Sequence, residues 1–376
     1  MLKNYTHIKS DGYARLGCYE TAHGSFETPQ FMPVGTRGSV KGVDCERLKE
    51  LGTQITLVNT YHLWLRPGPA VVERLGGIHR FAAWPGPILS DSGGYQVFSL
   101  RGIRKINEEG VEFRSHLDGA KMFLSPEGSI AIQEQLGVDV AMVLDECPAS
   151  DLTYDQVKKS LELTVRWAKR SLAARKKEST AIFGITQGGR HADLRAQAAQ
   201  MLSEIPFDGM AIGGLSVGEP KEVMYEVLSY HARQLPEQKI RYLMGVGTPE
   251  DIVTAVHEGV DLFDCVMPTR AGRFGRAFIN GDEPFINIKN SQYAESTEVL
   301  DGACSCIACR RYCRGYINHL FKVGEMLGPQ LLSIHNLTHY LDLMARIRKA
   351  IGEGSFEALY RATKSRWDTT TRHRFV

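Results

Sequence analysis

The sequence has 376 residues, 43% of them hydrophobic and 23% charged, values of an ordinary globular protein. Its formal net charge of +2 is too small to imply a nucleic-acid partner by itself, and no stretch approaches the roughly 18 consecutive apolar residues of a membrane span. Residues 1–7 have no apolar signal core, so a soluble cytoplasmic protein is expected.

Residues 1–50 read as β-rich and loop-rich, with Gly35, Gly38 and Gly42 breaking any helix. From there short apolar runs alternate with helical patterns. The runs at 54–58, 87–91, 138–144, 181–186, 209–212, 240–244 and 260–264 read as buried strands, and 277–279 is a candidate for the last one. Between them, 69–75 reads as a short helix, and 126–136 as another with Ser125 as N-cap and Pro126 at the first helical position. Thr153 and Gln156 have the spacing of a capping box, and the helix they open puts Val157, Leu161, Val165, Ala168 and Leu172 on one face. Further helices are expected over 191–205, from near Pro220, and from Thr248 with Pro249 in its first turn. Residues 99–124 break the rhythm, with Gly110 between two mixed segments, as in an inserted hairpin.

About eight buried strands alternating with amphipathic helices predict a parallel sheet closed into a (β/α)8 TIM barrel, with N-terminal β-strands before it. A doubly wound open sheet is the runner-up. Asp91, Asp145, Gln187, Gly214, Met244 and Asp264 each fall at or just beyond the C-terminal end of a strand, and in a barrel those ends share one mouth. Glycine pairs at 93–94, 188–189 and 213–214 permit close backbone approach to a flat ligand. A carboxylate beside an amide and backbone N–H groups matches a nucleobase edge, with Tyr95 and Met244 placed to cover its faces. After Asp264 the chain passes Pro268 into a stretch read as a loop, carrying Arg270, Arg273 and Arg276.

No glycine-rich phosphate fingerprint, Gly-x-Ser-x-Gly elbow or His-Glu-x-x-His helix is present, which argues against hydride transfer, NTP hydrolysis, serine-hydrolase and zinc-protease chemistry. Paired carboxylates suit cleavage at a sugar anomeric carbon, one attacking while the other moves protons.

Of the eight cysteines, Cys304, Cys306, Cys309 and Cys313 fall within ten residues and read as a metal site. Cys304, Cys306 and Cys309 supply three thiolates for zinc, and Cys313, His319, His335 and His339 are candidates for the fourth ligand. Four protein ligands make a closed structural site. The whole chain, 1–376, is read as a single domain with the hairpin at about 99–124 and a zinc-binding insertion at about 285–345. From Asp342 onward Arg346, Arg348, Lys349, Arg361, Lys364, Arg366, Arg372 and Arg374 face only Asp342, Glu353, Glu357 and Asp368. Together with the arginines at 270–276, this basic excess points to RNA.

The motifs starting at Asp91 (Asp-Ser-Gly-Gly-Tyr-Gln), Leu144 (Leu-Asp-Glu-Cys), Gln187 (Gln-Gly-Gly), Gly213 (Gly-Gly-Leu-Ser-Val-Gly-Glu), Tyr242 (Tyr-Leu-Met-Gly-Val-Gly) and Asp264 (Asp-Cys-Val-Met-Pro-Thr-Arg) resemble those of the bacterial tRNA-guanine transglycosylases, to about residue 360. The resemblance implies exchange of the wobble guanine in tRNAs with a GUN anticodon (Asp, Asn, His, Tyr) for 7-aminomethyl-7-deazaguanine (preQ1), in queuosine synthesis. It implies Asp264 as nucleophile in a covalent intermediate and Asp91 as general acid/base. Ser92 falls within the matched substrate-binding motif, and Asp145 would read the Watson–Crick edge. Gln187 and the Gly214 amide would meet the base carbonyl, the Leu215 carbonyl the aminomethyl group, and Tyr95 and Met244 the base faces. Arg270 and Arg273 would contact the uridines on either side of the guanine. It also implies zinc on Cys304, Cys306, Cys309 and His335, and a homodimer. Two other readings stay open from sequence: a non-catalytic tRNA-binding subunit, and an archaeosine-type exchange enzyme.

Overall fold

The computed structural model describes residues 4–99, 105–281 and 283–368; Arg372 and Arg374 of the basic tail lie outside them. A parallel sheet of nine segments runs in the order Gln30–Met32, Leu262–Asp264, Ile240–Leu243, Gly209–Ile212, Ala181–Thr186, Val140–Met142, Ile88–Ser90, Thr56–Val58, Val34–Gly35. The first and last of these are consecutive in the chain and separated only by Pro33. Gln30–Met32 pairs with the final strand, whereas Val34–Gly35 pairs with Thr56–Val58. The Pro33 carbonyl still accepts from Leu57 N–H at 3.1 Å, so one bent strand serves both neighbours and closes an eight-membered ring. Helices stand between successive strands, which are buried on both faces: all six residues of Ala181–Thr186 are buried, as a parallel sheet covered by helices requires.

The sequence reading differs at two places next to the last barrel strand. Ala277 and Phe278 do not form a barrel strand; Arg276–Phe278 pairs antiparallel with Phe285–Asn287 in a separate ribbon. The stretch read as an arginine loop is the helix Met267–Arg273. Pro268 lies in its first turn, where a missing N–H leaves no helical bond unmade.

The N-terminal strands Tyr5–Asp11, Ala14–Thr21 and Gly24–Thr28 form an antiparallel sheet under the starts of the barrel strands. Arg15 pairs with buried Asp261 at 3.0 Å, just before the strand Leu262–Asp264. His23 and His79 each reach a different oxygen of buried Asp139, at 2.8 and 3.0 Å, just before Val140–Met142. Their rings lie 3.5 Å apart at only 15°. Near-parallel planes cannot aim both lone pairs at one ion, so this group is a hydrogen-bonded staple. Burial alone would raise the Asp139 pKa, but the bonds from His79, His23 and Ile88 N–H more than offset that and hold it below the ordinary value. Residues 105–124 form a three-stranded antiparallel sheet, Lys105–Asn107, Gly110–Arg114 and Lys121–Leu124; the start of the expected hairpin, 100–104, lies outside the described residues.

The long helix Leu327–Glu353 packs tightly against Met267–Arg273. A side chain at Gly272 would come within 2.7 Å of Ser333 N, so the two backbones meet there. Asn336 ties three pieces together: Nδ2 donates to the Pro268 and Arg276 carbonyls at 2.9 Å each, and Oδ1 accepts from Phe278 N–H at 2.9 Å.

Candidate active site and metal centre

Asp91 follows Ile88–Ser90, Asp145 lies beyond Val140–Met142, Gln187 follows Ala181–Thr186, Gly214 lies beyond Gly209–Ile212, Met244 follows Ile240–Leu243, and Asp264 ends the last strand. The ring therefore brings all six to its C-terminal mouth.

Asp264 is half-buried. Its Oδ1 accepts from the Tyr242 hydroxyl at 2.6 Å and Gly245 N–H at 2.7 Å, which leaves Oδ2 without a partner among the described residues. Burial raises its pKa, and those two bonds oppose the shift. Asp91 is also half-buried. It accepts from Thr60 N–H at 3.0 Å, Gly93 N–H at 3.1 Å and the Asn59 side-chain amide. Burial pushes its pKa up to about 7; the nearby Asp264 charge adds to this while the hydrogen bonds counter it. Asp145 is buried and accepts from Gln187 Nε2 at 2.6 Å, and burial pushes it up to about 6. None of the three has an arginine or lysine among the groups that shift it. Such a set can separate roles: one carboxylate with a free oxygen for attack, another titrating near neutrality for proton transfer. The adjacent thiols do not compete, because burial pushes Cys147 and Cys265 each up to about 12, so both stay protonated.

The turns after Thr186 and Ile212 interlock. Gly214 has φ +66°, and a Cβ there would sit 2.3 Å from Gln187 Oε1. Gly214→Ala is expected to lower stability by about 1–2 kcal/mol from its left-handed backbone alone, and to displace Gln187. Thermal unfolding checks this, and an unchanged Tm would contradict it. Leu215 is buried beside that turn, Ser92 is buried with its hydroxyl accepting from Gly94 N–H at 3.1 Å, and Met244 is half-buried. Tyr95 is exposed on the helix Gly94–Ser99. Arg270 is exposed on Met267–Arg273, whereas Arg273 is half-buried, with Nη1 lacking a partner among the described residues.

Sequence reasoning missed Asn59, Thr60 and Tyr242. The first two follow Thr56–Val58 directly, so the strand-end reading applied to that strand would have found them. Tyr242 sits inside a strand and reads as core; nothing in the sequence marks its hydroxyl as a partner of Asp264.

Cys304, Cys306, Cys309 and His335 bring four ligand atoms within 4.8 Å of one another, a set able to hold a metal ion. His335 Nδ1 lies 3.6 Å from Cys306 Sγ and 3.2 Å from Cys309 Sγ. Its Nε2 is 2.6 Å from the Phe278 carbonyl, which fixes the tautomer and leaves Nδ1 free to ligate. The other three candidates for the fourth ligand are placed differently. Cys313 caps the helix Arg314–Val323, His319 is exposed, and His339 is buried against Phe278.

The sequence profile described as queuine tRNA-ribosyltransferase matches residues 10–369. The chain is 52% identical to the queuine tRNA-ribosyltransferase of Pseudomonas aeruginosa (strain LESB58) over 355 residues, covering 94% of this chain and 95% of that one. It is likewise 52% identical to the protein of that name from Thermoanaerobacter pseudethanolicus, over 92% of this chain and 93% of the relative. The same identity holds for the Staphylococcus aureus (strain bovine RF122 / ET3-1) protein, over 93% and 92%. With a profile spanning nearly the whole sequence and relatives matched end to end, the chain belongs to the queuine tRNA-ribosyltransferase family.

Proposed function

We propose that this protein is a cytoplasmic enzyme exchanging the wobble guanine of GUN-anticodon tRNAs (Asp, Asn, His, Tyr) for 7-aminomethyl-7-deazaguanine. Family membership makes it a tRNA-guanine ribosyltransferase of queuosine synthesis; the particular tRNAs, incoming base and covalent route are our reading. The observation that carries the route is the pairing of Asp264, with one unbonded oxygen, and Asp91, titrating near neutrality, at one barrel mouth.

In the first half-reaction Asp264 Oδ2 bonds to ribose C1′ as the C1′–N9 bond breaks, and the proton held by Asp91 goes to the departing guanine. In the second, Asp91 takes a proton from the incoming base, whose nitrogen attacks C1′ and releases the Asp264 carboxylate. No nucleoside triphosphate is consumed. Asp145 and Gln187 would read the base edge, with the Gly214 amide at its carbonyl and the Leu215 carbonyl at the aminomethyl group. Tyr95 and Met244 would cover the faces, beside the Ser92 turn. An anticodon loop can present such an unstacked base without opening a duplex. Arg270 and Arg273, one exposed and one with a spare donor, would meet the flanking uridines of a UGU loop.

The exchange is tested by supplying preQ1 to tRNA-Tyr carrying labelled guanine. Release of label is expected, and none from GUN tRNAs would refute the reading. The sign of the pH effect follows from Asp91. Guanine release needs its acid form and so is expected to fall as pH rises through about 7, whereas base uptake falls as pH drops below it. Rapid-quench rates of each half-reaction about one pH unit either side of that value check this, and equal release rates would contradict it.

We also propose zinc as the ion at Cys304, Cys306, Cys309 and His335, since three thiolates with one imidazole suit it and close its tetrahedral shell. The chain is proposed to act as a homodimer. A monomer mass by light scattering at micromolar concentration would overturn that.

A further inference from the structure

We infer that Arg195 is a positioning residue for this site: its guanidinium holds the backbone at 186–189 and 213–214 so that the Gly214 amide faces a base carbonyl. The inference rests on the function proposed above. Arg195 lies in the first turn of the helix Ala192–Ser203 and is fully buried. Its Nε donates to the Gly189 carbonyl at 2.8 Å, and Nη1 to the carbonyls of Gly213 at 2.9 Å and Thr186 at 3.4 Å. Nη2 reaches the Gly214 carbonyl at 3.5 Å. Every acceptor is a backbone carbonyl, from the last residue of the strand Ala181–Thr186 or from the turns that follow it and its neighbour Gly209–Ile212.

Burying a cation with no carboxylate in salt-bridge contact opposes folding, and that burial pulls the Arg195 pKa down to about 10, with Glu219 opposing the shift. An apolar side chain would fill the same volume without that penalty. Only a guanidinium supplies several fixed donors that can bind both turns at once. The positive φ angles of Gly188, Gly189 and Gly214 let the chain present its carbonyls this way.

The peptide plane carries the consequence into the mouth. In a trans peptide C=O and N–H point in opposite directions, so holding the Gly213 carbonyl aims the Gly214 N–H away from Arg195. That N–H is close enough to oppose the rise in the Cys147 pKa, and the same residue packs against Gln187, whose amide donates to Asp145 at 2.6 Å. As the C1′–N9 bond breaks, its electron pair passes to the base and part of that charge reaches the 6-oxo oxygen. N–H dipoles fixed in advance, with a buried cation behind them, stabilise that oxygen more in the transition state than in the ground state.

Arg195→Met and Arg195→Lys are to be compared with the wild type for guanine and for 2,6-diaminopurine, which carries an amino group in place of the 6-oxo group. In Arg195→Met we expect kcat/KM for guanine, and with it the preference for guanine, to fall by about tenfold or more, chiefly through kcat, with tRNA affinity within about twofold. Arg195→Lys should recover part of the preference. A purely structural role would lower Tm and the active fraction while leaving the preference intact, and that result in a folded variant overturns the inference. If Arg195→Met does not fold, the preference measured in Arg195→Lys decides: unchanged, it overturns the inference; reduced, it supports it. A wild-type enzyme that exchanges no guanine would instead defeat the underlying functional reading, so the two failures are distinct.

Discussion

Replacing Asp264 by asparagine is expected to stop guanine exchange, lowering the rate by at least ~10^4-fold, the scale seen when a nucleophile is removed. The amide is nearly isosteric and keeps an acceptor oxygen for the Tyr242 hydroxyl and Gly245 N–H, so the mouth retains its shape. What disappears is the negative oxygen that attacks C1′ and balances the charge developing on the ribose. Affinity for tRNA should therefore stay within about threefold, since removing one group used only in the chemical step leaves ground-state binding in place. A denaturing gel adds a direct readout: the wild type should give an RNA–protein adduct when the incoming base is withheld, and the variant none. Normal turnover by Asp264→Asn would end the nucleophile assignment, and exchange without any adduct in the wild type would point to direct displacement.

The second large effect is loss of the metal. If the proposed zinc is bound, Cys306→Ser, or prolonged chelation, is expected to release it and lower Tm by about 10 °C or more, because structural zinc contributes folding free energy directly. The exchange rate should fall with it, although no ligand is at the barrel mouth. His335 lies on the same helix as Ser333 and Asn336, and these two touch the helix that follows Asp264. Loosening one end of that packing frees Arg270 and Arg273 to move. Metal analysis of active protein gives the check, and full activity with no bound metal would refute the structural role.

The barrel could be read from sequence because buried parallel strands appear as short apolar runs that end at polar residues and glycines. Asp91, Gln187 and Asp264 stand out for that reason. The same run at Ala277 and Phe278 misled, since an apolar triplet does not reveal whether its neighbour is a barrel strand or an antiparallel ribbon. Pro268 was equally ambiguous: proline marks loops, but it also opens helices, as it does in Met267–Arg273. The fourth member of the cysteine cluster was out of reach of spacing because His335 arrives on a different helix, 26 residues after Cys309. Tyr242 and Arg195 were hidden for a related reason. Each is a buried polar side chain whose role depends on groups in other strands or turns, and periodicity reports burial without reporting partners.

The bent strand at Pro33 sets an order of events during folding. Asp264 pairs with Met32, more than two hundred residues earlier, and that pairing is the one that shuts the ring. Contacts of such long sequence separation carry the largest chain-closure entropy and form slowly. On the ribosome the early strands must therefore wait, with an open edge beside Gln30–Met32, until nearly three-quarters of the chain has emerged. The carboxylate proposed to attack the ribose reaches its place only in that final step, so a nascent or truncated chain cannot carry out the reaction before the barrel is shut.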